Sequence, residues 1–92
     1  MARVVITAKV ADVAAWEKSF RTHGDLFRAQ NGASPYLIGS TDSNEVAVSA
    51  DVSDVDAYLE SLTSQETVDA MGADGVDRDS VRIFVLDREF GF

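Results

Sequence analysis

The 92-residue chain contains no cysteine, one histidine, one tryptophan and one proline, and it has 8 basic side chains against 16 acidic ones. Without cysteine there can be no disulfide, no thiol nucleophile and no thiolate metal site. A lone histidine also excludes a multi-histidine zinc site, so neither a metal nor another cofactor is expected. The formal charge of −8 argues against nucleic acid as a partner, because phosphate binding relies on Lys and Arg. No apolar run approaches the roughly 20 residues that a membrane span needs. The opening MARVVITAKV turns polar at Thr7 and Lys9 before a signal-type hydrophobic segment can form. A cytoplasmic protein without membrane contact is therefore expected.

The residues present describe one domain over residues 1–92, 46% apolar, with a single core that would gain from burying a second surface in an oligomer. Arg3–Val10 alternates, with Val4, Ile6, Ala8 and Val10 on one face, and reads as a first strand. Asp12 is placed to cap a helix that runs to Gln30 and stops at Asn31-Gly32. Gly24 weakens this helix by about 1 kcal/mol relative to Ala, letting it bend or approach the sheet. Pro35–Thr41 and Glu45–Val52 flank the turn Asp42-Ser43-Asn44 as a hairpin. Ser53 with Asp56, and Thr63 with Glu66, have capping-box spacing, so the second helical region is expected in two pieces. Ala73–Asp79 reads as a loop and Val81–Phe90 as a last strand, apolar on both faces at its centre.

Strand, helix, strand, strand, helix, strand is the order of an α+β ferredoxin-like βαββαβ domain, with a four-stranded antiparallel sheet and its helices on one face. The other face, with Val5, Ala47 and one side of the last strand, is left for a second copy. The tail Glu89-Phe90-Gly91-Phe92 could clasp that copy.

Val10-Ala11-Asp12 with Trp16, Phe20 and His23, then Asn44-Glu45-Val46 with Val48, then Met71 with Gly75-Val76, together resemble the dimeric α+β barrel superfamily over nearly the whole chain. That superfamily includes antibiotic-biosynthesis-monooxygenase-like and small cyclase-like domains. The resemblance implies a homodimer with a small-molecule pocket in each subunit between sheet and helices. Members range from cofactor-independent oxygenases of aromatic polyketides to haem-degrading enzymes, lactone isomerases and proteins without known activity. The segment after the third strand carries no His, which does not fit haem ligation.

His23 is the candidate general acid or base, since imidazole titrates near physiological pH. Its ordinary alternative is a helix-edge His bonded to a nearby carboxylate such as Asp12 or Asp25. Tyr36 is the second catalytic candidate, as a phenol that orients a substrate carbonyl. Trp16, Phe20, Phe27 and Tyr58 are the candidate wall for a small apolar or aromatic molecule, although aromatic stripes at helical spacing usually serve as core. Asp74, Asp77 and Asp79 lack the spacing of a calcium loop and read as surface. Arg82 and Arg88, on one strand face, are more simply ion-paired than anion-binding. Two functions stay open: cofactor-free proton-transfer chemistry in a pocket (cyclase, isomerase or monooxygenase-like), or a non-catalytic homodimeric module with no pocket. A closed core would favour the second, and a cavity of several hundred Å³, roughly the usual scale, the first.

Overall fold

A computed structural model describes residues 2–92. The elements are β1 (Ala2–Lys9), α1 (Val13–Phe20), α2 (Gly24–Ala29), β2 (Gly32–Ser40), β3 (Glu45–Val52), α3 (Val55–Ser61), α4 (Gln65–Ala73), a 3₁₀ turn (Arg78–Ser80) and β4 (Arg82–Leu86). The strands form one antiparallel sheet in the order β2-β3-β1-β4, the arrangement of the ferredoxin-like fold.

Alternation along the two central strands sorts the faces. Val4 pairs with Ala50 and Val85, and Ile6 with Val48 and Ile83, on the helix side. Val4 and Val52 are fully buried there. On the open side Val5 pairs with Ser49 and Phe84, and Arg3 with Asp51 and Leu86. Leu37, Phe84 and Leu86 remain 57%, 48% and 52% exposed on that open side, so these apolar residues have no cover among the described residues. Arg3 Nε donates to Asp51 Oδ1 at 3.0 Å across the same face. The ion pair raises the arginine's pKa and lowers that of the aspartate.

Several expected boundaries move, each for a local reason. The Asp12–Gln30 helix is two helices: Thr22 N and His23 N donate to Ser19 O and Phe20 O, three residues back, and the Thr22 hydroxyl also takes Ser19 O. These bonds tighten the chain into a turn, and Gly24 opens the second helix instead of interrupting the first. Ser53 and Thr63 are not the caps. The Asp54 carboxylate accepts from Ala57 N, and Ser64 Oγ from Thr67 N. Thr63 instead donates to Glu60 O.

The strand ends differ as well. β2 begins at Gly32, not Pro35, because Asn31 at φ 65° turns the chain directly into pairing with β3. Its register then shifts between Ala33 and Leu37, which accommodates Pro35 on an edge strand where its missing N–H is harmless. β4 stops at Leu86, not Phe90. Leu86 pairs with Arg3, one residue from the first described residue of β1, and no further pairing follows among the described residues. Arg88 therefore lies beyond the strand, off the face it was expected to share with Arg82, and it meets Asp87 at 3.5 Å.

Candidate functional site

The break between α1 and α2 builds the site. His23 occupies the cap position of α2, yet its side chain makes no capping bond. Its Nε2 lies 3.1 Å from each carboxylate oxygen of Asp74, at the C-terminal end of α4. The Ser19 hydroxyl donates to the same carboxylate. The Asp74 side chain is 5% exposed and that of His23 23%. The expected local partners are thus corrected: Asp12 caps α1 through Ala15 N, and Asp25 pairs with Arg28. Asp74 is likewise not a surface-loop residue, because its carboxylate is packed between the turn and α4.

With Nε2–H donating to Asp74, the lone pair of the neutral imidazole resides on Nδ1. Nδ1 has no partner among the described residues. A carboxylate behind one ring nitrogen and a free lone pair on the other is the arrangement of an oriented acid–base histidine.

The reorientation at the turn also stacks the aromatic residues. Ring centroids are 4.8 Å apart for Trp16 and Phe20, 4.7 Å for Phe20 and Phe27, and 4.8 Å for Phe27 and Tyr36. The edge of His23 meets Phe27 at 6.2 Å. Behind these rings, between the helices and the sheet, is a predominantly apolar, partly open cavity of about 90 Å³. All six residues singled out from the sequence line it: His23, Tyr36, Trp16, Phe20, Phe27 and Tyr58. The volume lies between the two expected outcomes. It exceeds the roughly 10–15 Å³ that one water needs and falls short of the ~300 Å³ where drug-sized pockets begin. A bound molecule of this size would be a single small ring, seated with some yielding of the wall.

Burial raises the pKa of the Tyr36 phenol, and burial together with the nearby Tyr36 raises that of Tyr58 further. Both stay protonated at neutral pH and can act as hydrogen-bond donors. The Tyr36 hydroxyl is buried without a partner among the described residues. It sits against Gly32, where an added Cβ would come within 1.8 Å of it, so only glycine fits beneath the phenol.

Four polar residues at the site were not anticipated: Ser19, Gln30, Thr67 and Asp74. Asp74 and Thr67 meet their partners across 51 and 37 residues, and no local spacing signals such a contact. Gln30 ended the predicted helix and carried no other mark. Elsewhere, a larger depression of about 890 Å³ lies on the open face, with Lys9, Glu45, Asp77, Asp79, Arg82 and Phe84 among its lining residues. It contains none of the six residues. Among the described residues there is no cluster of three metal-ligating side chains and no helix long and apolar enough to cross a membrane.

Solved structures share this fold across nearly the whole chain. SnoaB, a cofactor-independent oxygenase from Streptomyces nogalater, superposes with a TM-score of 0.70 at 16% identity, over 98% of this chain and 94% of its own. An antibiotic biosynthesis monooxygenase gives 0.66 at 11% identity, over 97% and 99%. A protein of Agrobacterium tumefaciens gives 0.64 at 13%, over 97% and 94%. No family model matches the sequence, and no curated protein matches it. At such identities the likeness is one of fold.

Proposed function

We propose that the protein binds a small, largely apolar ring between α1–α2 and the sheet and performs cofactor-free proton transfer on it. The observation that carries this is the His23–Asp74 pair at the margin of a cavity walled by Trp16, Phe20, Phe27 and Tyr58. Asp74 orients the imidazole, and His23 Nδ1 takes a proton from a carbon or oxygen next to a carbonyl. Tyr36 O–H donates to the oxygen on which charge accumulates. Cyclase, isomerase and cofactor-independent oxygenase reactions can all begin with such a proton removal. The cofactor-independent oxygenase among the structures of this fold is in keeping with that chemistry.

The test is α-proton exchange of cyclohexanone in D₂O, followed by NMR with and without protein. Wild type should accelerate it, and His23→Ala should remove at least about a hundredfold of that acceleration. No acceleration by wild type, or full activity in His23→Ala, overturns the catalytic reading.

A second reading, a non-catalytic homodimeric module, is favoured by the small volume of the cavity and by the apolar open face. Leu37, Phe84 and Leu86 would then meet their counterparts on another copy, sheet against sheet. Light scattering should find a dimer that Phe84→Asp dissociates. If no small ring binds at all, the module reading is preferred.

A further inference from the structure

Asp74 stands where a buried carboxylate is hard to keep. It is the C-terminal cap of α4, whose last turn carries no basic side chain, so the helix end itself presents partial negative charge. Its side chain is 5% exposed, a depth at which an ionised group needs donors from the protein. The backbone beneath it is fixed independently. Gly75 adopts φ 77°, Val76 N donates to Met71 O at 3.0 Å and Ala11 N to Gly75 O at 3.1 Å, which closes the end of α4. What is left to set is the rotation of the carboxylate about its Cβ–Cγ bond, a torsion with only broad intrinsic preferences.

His23 alone does not set it. Nε2 lies 3.1 Å from Oδ1 and 3.1 Å from Oδ2, so its single hydrogen is offered to two equivalent acceptors. Ser19 breaks that symmetry, because its hydroxyl donates to Oδ1. A helical serine ordinarily turns its hydroxyl back to the carbonyl four residues earlier. Ser19 instead reaches from the last turn of α1 to the end of α4, 55 residues along the chain. The carboxylate is thus gripped from both sides of the helix break, by Ser19 before it and His23 after it. Ser19 lies outside the cavity lining, to which His23 and Asp74 both belong, so any effect it has on a ligand passes through Asp74.

Resting on the reading that His23 moves a proton, we infer that Ser19 is a positioning residue for that transfer. By holding Oδ1 it fixes the plane of the Asp74 carboxylate. The carboxylate in turn fixes the plane of the imidazole and keeps its hydrogen on Nε2, which leaves the lone pair on Nδ1 for the ligand. Ser19, Asp74 and His23 then form one chain of hydrogen bonds that begins on α1, crosses to α4 and returns to the turn before α2. Without the hydroxyl the carboxylate keeps one donor shared between two oxygens, and the ring loses its single orientation.

Ser19→Ala and Ser19→Thr, measured against wild type in three ways, test this. In ¹⁵N spectra of the neutral His23 ring, wild type and Ser19→Thr should show one tautomer with its hydrogen on Nε2, and Ser19→Ala a mixture of two. The acceleration of cyclohexanone exchange should fall at least about tenfold in Ser19→Ala and recover in Ser19→Thr, which keeps the hydroxyl. Phenol, a ring of the same size without a ketone, should bind Ser19→Ala within about twofold of wild type, because the residue acts on the proton transfer and not on binding. A mixed tautomer already present in wild type, or a single tautomer and unchanged rate in Ser19→Ala, overturns the positioning role and leaves the proton-transfer reading standing. A loss of phenol binding in Ser19→Ala equal to the loss of rate also overturns it, since Ser19 would then be shaping the cavity. No acceleration by wild type overturns both.

Discussion

β1 and β3 bury the same kind of residue at two neighbouring places on the helix side of the sheet, with opposite results. Val4, Ala50 and Val52 lie under Tyr58 and Leu62 and are closed off. Ile6, Ala8, Val46 and Val48, two or more residues along the same strands, border the cavity. The strands do not make the difference, because their alternation is uniform. What stands above them does. At the closed end, α3 brings Val55, Tyr58, Leu59 and Leu62 down onto the sheet. At the other end the helix has broken at Arg21–His23, and stacked rings and polar side chains roof the strands. Close packing is the default of a protein interior, so a partly open cavity beside a closed core is the place where a function is first sought.

Substitutions can break or sharpen this contrast. The largest effect is expected from Trp16→Ala, which removes a ring from the cavity wall. Stability should fall by about 3–5 kcal/mol in urea unfolding, and the variant should admit larger rings than wild type. Val52→Ala at the closed end should cost about 1–3 kcal/mol, roughly two methyl groups' worth, without creating a binding site. Filling reverses the test. Ala50→Leu should cost about 1–3 kcal/mol through overpacking, whereas Ala70→Leu on the cavity wall should cost less than about 1 kcal/mol and block the ring probes. Equal costs for the two would show that the two ends do not differ.

A smaller effect concerns pH. Unfolded tyrosine ionises near pH 10, and Tyr58 in the folded protein titrates above that because it is buried. Below about pH 9 both states keep the proton and Tyr58 makes no difference. From about pH 10 upward the folded state holds the extra proton, so stability declines as pH rises toward the folded pKa. Tyr36 acts in the same direction. Thermal unfolding of Tyr58→Phe between pH 9 and 11 should fall less steeply than that of wild type. Parallel curves would mean that the phenol is not desolvated.

The fold was legible because it rests on local signals: alternation in β1 and β3, Asp12 before α1, Asn31 at the end of α2, and polar residues between β2 and β3. The aromatic members of the site were legible for the same reason, as a periodic stripe. The break that places them was only half visible. Gly24 marked the neighbourhood, but the turn is closed by Thr22 and by backbone bonds that no periodicity reveals. Asp74 and Thr67 were illegible as partners because only the assembled fold brings α4 beneath the turn. His23 could be suspected from its rarity, whereas its carboxylate could not be found among so many.

The most direct measurement is a phenol titration of the ¹⁵N- and ¹³C-labelled protein followed by NMR. Saturable shifts should centre on His23, Phe27, Gln30, Tyr36 and Met71, while Val4 and Val52 stay still. Shifts confined to Lys9, Arg82 and Phe84 on the open face, or no saturable shift at all, would contradict the assignment of the helix-side cavity as the functional site.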